Sequence, residues 1–139
     1  MIVLDTNVVS EFMRATPSAT VVRWIGARSA ADHYTTCITQ AEILYGIQLL
    51  PAGKRRNLLL QAAEAMFAED FAGRVLGFGV EAAPAYARIA AHRRRIGRPI
   101  SHFDAQIAAI AEVSGASIAT RNVDDFAEIG LTVLNPWNG

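Results

Sequence analysis

Short apolar runs alternate with longer amphipathic stretches along the whole chain. Ile2-Val3-Leu4 opens it as an apolar run that stops at Asp5-Thr6-Asn7, residue types that favour turns and helix caps. That pattern predicts a strand followed by a helix start. Val8 to Arg14 predicts a short helix that ends before Pro17. Ser18 is placed to cap a second helix through Arg28, with Val21, Val22 and Ile25 on one face. Tyr34 to Ile38, rich in β-branched and aromatic residues, predicts a second strand. Thr39-Gln40-Ala41-Glu42 fits a capping box that opens a helix to about Leu50. Pro51-Ala52-Gly53 breaks that helix, and an Ala/Leu-rich helix follows from about Lys54 to Phe71.

The second half repeats the rhythm. Val75 to Phe78 predicts a third strand and Glu81 to Ile96 a helix, with Gly97 as its natural C-terminal stop. Ser101-His102-Phe103-Asp104 is a second capping-box-like start. Phe103, Ile107 and Ile110 form the apolar stripe of a helix ending at Gly115. Ser117 to Thr120 predicts a fourth strand, Asp124 to Glu128 a short helix, and Leu131 to Leu134 a last strand. Strands alternating with helices in this way predict an α/β fold, a three-layer α/β/α sandwich with a mainly parallel central sheet. The 139 residues fit one domain, 1–139.

Composition narrows the function classes. The chain is 52% apolar and 19% charged, enough to bury a core and too apolar for a disordered segment. Thirteen basic residues balance thirteen acidic ones, which disfavours a purely electrostatic nucleic-acid binder. Among the basic residues only Lys54 is a lysine, and the remainder are arginines, whose planar fork suits phosphate. The lone Cys37 excludes a disulfide framework and any multi-cysteine metal site. The first residues lack a basic signal-peptide region, and no apolar run is long enough to span a bilayer. The expectation is a soluble cytoplasmic protein without a membrane partner.

The chemistry lies in the carboxylates. In an open α/β sheet, sites form beyond the carboxyl ends of the strands. Asp5 follows the first strand, and Thr120-Arg121-Asn122 with Asp124 and Asp125 follows the fourth. Glu42 and Asp104 each fall in the first turn of a helix. Each acid has a structural alternative. Glu42 and Asp104 fit capping boxes, Asp5 fits an N-cap, and Asp124 and Asp125 fit a turn. Together they suggest convergence in one crevice, with Arg121 the chief nearby cation to pair with Asp104 or Asp5. Buried carboxylates without basic partners call for a bound cation. Oxygen donors without a His or Cys cluster point to Mg²⁺ or Mn²⁺, a centre suited to phosphodiester hydrolysis.

These segments resemble the PIN-domain family. Ile2-Val3-Leu4-Asp5-Thr6-Asn7-Val8 resembles its opening motif, and Thr39-Gln40-Ala41-Glu42-Ile43-Leu44-Tyr45-Gly46 its second. Asp104-Ala105-Gln106-Ile107-Ala108-Ala109 resembles the third, and Thr120-Arg121-Asn122-Val123-Asp124-Asp125-Phe126 the fourth. Asn135-Pro136-Trp137 is similar to the tail of the VapC and FitB branch. The resemblance implies a Mg²⁺-dependent endoribonuclease toxin, restrained by a VapB-like antitoxin and dimeric with a second copy. It implies that Asp5, Glu42 and Asp104 bind metal and that Thr6 orients the first acid or a water. Many relatives carry Asp where this chain has Asn122, which leaves Asp125 or Asp124 to complete the acidic set.

The remaining clusters carry blander readings beside the functional ones. Lys54-Arg55-Arg56 reads as a solvated helix start or an RNA guide. Arg93-Arg94-Arg95 with Arg98 reads as RNA-contacting charge, chiefly Arg94 and Arg98 with Arg121, or as solvated helix-end charge. His33, His92 and His102 share no ligand spacing and read as surface or cap residues. Cys37 reads as the end of a core strand. Trp24, Tyr45 and Phe103 read as core or interface residues. A receiver-type phosphoacceptor lacks its late lysine, and a haloacid-dehalogenase-type phosphatase lacks the second Asp, since Asn7 stands there. A non-catalytic module binding protein or nucleic acid is the remaining alternative.

Overall fold

The computed structural model describes residues 1–139. Five parallel strands form one sheet in the order β3-β2-β1-β4-β5. They are β1 (Ile2–Leu4), β2 (His33–Thr36), β3 (Val75–Leu76), β4 (Ser117–Ala119) and β5 (Val133–Leu134). Six α-helices flank it: α1 (Thr6–Glu11), α2 (Ala19–Gly26), α3 (Cys37–Gln48), α4 (Lys54–Ala65), α5 (Ala82–Arg95) and α6 (His102–Val113). The chain builds outward from β1 to β3, then returns to β4 on the other side of β1. That reversal opens a crevice at the carboxyl ends of β1 and β4, where Asp5 and Thr120 follow their strands.

Two apolar clusters make the three layers. Successive strand residues face opposite sides of a sheet. Val3 and Ile118 point into one cluster with Ile89 of α5 and Ile107 of α6. Leu4 and Ala119 point into the other, with Val8, Trp24, Ile43 and Phe67. Both faces of β1 and β4 are therefore buried. Each fully buried branched side chain contributes about 2 kcal/mol. Ala105, Ala108, Ala109 and Ala111 of α6 are completely buried, and their small size lets α5 and the sheet approach that helix closely.

The elements depart from the sequence pattern at several places. The second strand runs from His33 to Thr36 rather than Tyr34 to Ile38. Thr36 is extended at φ −124° and ψ 158°, and its hydroxyl accepts the Thr39 amide at 3.1 Å. It is therefore the N-cap of α3, and Cys37 opens a helix instead of ending a strand. His33 is 4% exposed, not a surface residue, and stacks on Trp24. The first helix starts at Thr6 and ends at Glu11, and the stretch beyond Ala65 widens into a π turn over Met66–Asp70. The short helix near Asp124 is a 3₁₀ turn, Val123–Phe126. Phe103 lies outside the α6 stripe and is 54% exposed, whereas Ile107 and Ile110 are buried. No helix is long and apolar enough to cross a membrane.

Candidate active site

Asp5 stands at the hub. It is 5% exposed and caps α1, its Oδ1 accepting the Thr6 amide at 2.8 Å. Its Oδ2 accepts the Thr120 hydroxyl at 2.8 Å and, more weakly, the Asn7 side-chain amide at 3.4 Å. The N-cap role and the site role thus fall on the same side chain. Burial raises the Asp5 pKa from 3.8 to about 6, against the lowering pull of the Thr120 and Thr6 bonds. Repulsion from Asp104 and Glu42 adds to the rise.

Thr120, fully buried at the end of β4, ties three segments together. Its hydroxyl donates to Asp5 and accepts from Asn7 Nδ2 at 3.2 Å and from the Asn122 amide at 3.1 Å. Asn7 Oδ1 in turn accepts the Arg121 amide at 3.2 Å. These bonds tie the β4 exit to the β1 exit.

Glu42 is the sixth residue of α3 and is not a capping-box partner, because Thr36 takes the cap. Its Oε1 instead accepts the Thr6 hydroxyl at 2.9 Å. With the single Thr6 proton committed there, the Thr39 hydroxyl at 3.0 Å donates to Thr6. A Thr39–Thr6–Glu42 relay therefore joins α1 to α3. Burial raises the Glu42 pKa, opposed by the Thr6 bond, and Asp104 raises it further. Asp104 keeps its expected place in the first turn of α6, where Ser101 Oγ accepts its amide at 3.1 Å. Burial raises the Asp104 pKa, a bond from Ser101 lowers it, Asp125 raises it and Arg93 lowers it.

Asp5, Glu42 and Asp104 therefore share one electrostatic neighbourhood, and Asp125 joins through Asp104. The ion pairs of the protein lie elsewhere: Arg14 with Glu11, Arg88 with Glu112, and Arg98 with Glu128. Arg121 pairs with neither Asp5 nor Asp104. Its guanidinium lies over the Trp137 ring at 5.0 Å. Asp124 and Asp125 are exposed on the 3₁₀ turn, and Asn122 is tied to the site through its backbone amide. Arg94 is exposed, while Arg98 reaches Glu128 at 3.5 Å.

No group of three or more acidic, His or Cys side chains is gathered tightly enough to hold an ion outright. A shared ion would require the carboxylates to draw closer. The donor chemistry fits Mg²⁺ or Mn²⁺ nonetheless: all donors are hard oxygens, none of the three carboxylates is in an ion pair, and the field of Arg93 reaches Asp104 alone. A cavity of about 350 Å³ adjoins Glu42 alone of the acids, lined also by Thr6, Ser10, Met13 and Leu59. It shares Met13 and Leu59 with a larger groove of about 1020 Å³ that carries Arg14, Lys54 and Arg55.

The sequence placed Thr120 in this region but not as the hydroxyl that binds Asp5, read Thr39 only as a helix cap, and read Arg93 only as helix-end or RNA-contacting charge. Asn7 reads in sequence as a turn or cap residue of the opening motif, and the structure adds its bonds to Thr120 and to the Arg121 amide. Two hydroxyl residues stand directly at strand ends, Thr36 and Thr120, and that placement was the available signal for hydrogen-bonding posts.

The PIN domain family model matches residues 2–131. The chain belongs to the PIN-domain family. Plasmid stability protein StbB of Pseudomonas syringae pv. tomato is 44% identical over 137 residues, covering 99% of each chain. VapC ribonuclease Y4jK of Sinorhizobium fredii is 41% identical over 137 residues, covering 99% of this chain and 98% of the relative. The crystal structure of FitAcB from Neisseria gonorrhoeae superposes with a TM-score of 0.92 at 38% identity, over the full length of both chains. This PIN protein therefore lies on the VapC/FitB toxin branch, the branch its Asn135-Pro136-Trp137 tail resembles.

Proposed function

We propose that this protein is the toxin of a type II toxin–antitoxin pair and acts as a metal-dependent endoribonuclease. The ion is Mg²⁺, with Mn²⁺ able to substitute. The observation that carries the reading is that the exits of β1 and β4 and the helices α3 and α6 bring Asp5, Glu42 and Asp104 into one neighbourhood, where burial raises all three, Asp104 raises the other two, and no basic side chain is paired to any of them.

In this reading Asp5, Glu42 and Asp104 hold the ion, and Asp125 adds a further negative charge beside Asp104. When bound, a divalent ion supplies a more acidic water and positive charge opposite the phosphate oxygens. Thr120 and the Thr6 amide hold the Asp5 carboxylate in one orientation. Thr6, fed by Thr39, does the same for Glu42. Asn122 and Asp124 support the turn that carries Asp125. Arg121, Arg94 and Arg98 meet RNA phosphates. The neutral formal charge of the chain leaves that attraction local to the crevice. The partners are a VapB-like antitoxin and a second copy of the chain, and residues 1–139 act as one domain in the cytoplasm. Relatives named VapC ribonuclease and FitAcB support this assignment.

The test is cleavage of single-stranded RNA with Mg²⁺ or Mn²⁺ against EDTA, repeated with Asp5→Ala and Asp104→Ala. Chelation and either substitution should each lower the rate by about 100-fold or more. Cleavage that persists in both variants eliminates the metal–carboxylate mechanism. Intact RNA in every arm, despite bound metal, favours a non-catalytic binding module. Expression without a partner should also arrest growth, and Asp5→Asn should relieve the arrest.

A further inference from the structure

Arg93 reads in sequence as one of four arginines available to RNA, and the structure removes it from that set. It is 3% exposed on the inner side of α5. Its Nε donates to the Arg98 carbonyl at 2.6 Å. Its Nη1 donates to the carbonyls of Asp124 at 3.2 Å, Asp125 at 2.9 Å and Ala127 at 3.0 Å. No carboxylate pairs with it. A buried cation left without an anion is strongly unfavourable unless carbonyl dipoles or a distant charge offset it. Here two of the four carbonyls belong to the turn that carries Asp124 and Asp125, and a third, that of Ala127, directly follows it. The Arg93 field reaches Asp104, and so does that of Asp125.

The geometry points to Arg93 as a positioning residue for the proposed metal centre: its guanidinium clamps the 3₁₀ turn Val123–Phe126 so that Asp125 stands beside Asp104. The inference rests on the metal-centre reading above. The turn has no side-chain cap of its own, so the Arg93 bonds are its main side-chain tie to α5. Arg98 assists from outside, with Nη2 on the Asp124 carbonyl at 3.4 Å. Because α5 anchors the turn, Asp125 is held from the α5–α6 side of the sheet, and Asp5 is held from β4. The acids are thus braced independently from two directions.

The test is a double-substitution cycle. Arg93→Lys and Arg93→Met are made alone and with Asp125→Ala. Mn²⁺ binding is read from the free-ion EPR signal, and amide hydrogen exchange is followed over residues 123–127. Arg93→Met should weaken Mn²⁺ binding about tenfold, the size expected when a residue behind the ligands is lost. Arg93→Lys, which keeps the charge and three donors, should restore most of the affinity. Both losses should shrink below about twofold when Asp125 is already Ala, since coupled residues are not additive. Exchange over 123–127 should quicken in Arg93→Met. Equal losses with and without Asp125, or unchanged exchange in folded Arg93→Met, overturn the inference. If Arg93→Met does not fold, Arg93→Gln, which loses the charge and most of the donors but stays polar, carries the same comparison alone and with Asp125→Ala. A wild-type protein that binds no Mn²⁺, with the turn still loosened by Arg93→Met, sinks the metal reading and leaves the clamp standing.

Discussion

Replacing Asp5 with Asn should stabilise the metal-free protein at neutral pH and destabilise it at acid pH. Asp5 has a folded pKa of about 6 against 3.8 when unfolded. Between those values the folded state holds a proton that the unfolded state has lost. Stability therefore falls as pH rises through that window. A shift of roughly two units corresponds to about 3 kcal/mol, fully present above pH ~6 and relieved as pH falls towards ~4. Asn carries no charge and escapes this penalty. It also gives up an acceptor, because one amide oxygen cannot serve both the Thr6 amide and the Thr120 hydroxyl, a loss of about 1 kcal/mol. The net gain at pH 7 is about 2 kcal/mol, or roughly 6 °C in Tm for a chain of this size. Near pH 4 the gain vanishes and the lost acceptor leaves Asn about 1 kcal/mol worse. Thermal melts in EDTA across pH 4 to 7.5, wild type against variant, measure the difference. A variant less stable than wild type at pH 7, or a gain that does not change with pH, refutes the reasoning.

Three further outcomes follow from the same geometry. Mn²⁺ at 100 times its dissociation constant should stabilise the wild type by about 2.7 kcal/mol, with a smaller shift at pH 5 than at pH 7 and in Asp104→Asn; calorimetric melts check it. Thr120→Val removes the hydroxyl that binds charged Asp5 and should lower stability by about 2 kcal/mol at pH 7, and by less at pH 4, in urea unfolding. Thr36→Ala removes the true N-cap of α3 and should lower stability by about 1 kcal/mol in the same assay, with the loss insensitive to divalent ions.

The layer order and the placement of Asp5 were legible because they rest on local signals. An apolar run ending in an acid, and strands alternating with helices, demand little knowledge of tertiary contacts. Asp104 was legible for the same reason, since Ser101 caps its helix in the expected register. The start of α3 was not, because Thr36 and Thr39 both qualify as caps and only the length of β2 decides between them. Periodicity also assigned Phe103 to the core, although it projects outward at 54% exposure. Tyr45 and Leu49 of α3 project outward as well, at 66% and 67%, so an apolar composition there does not mean a buried helix face. Arg93 was hidden most deeply. Nothing in Arg93-Arg94-Arg95 distinguishes the side chain that turns inward to four carbonyls from its solvated neighbours.

The most direct measurement is anomalous diffraction from crystals of the protein soaked in Mn²⁺. The account predicts a peak bounded by the carboxylates of Asp5, Glu42 and Asp104, weakened or lost in Asp104→Ala. Saturated crystals with no density there, or with those three side chains still apart and the ion bound at another place, would contradict it.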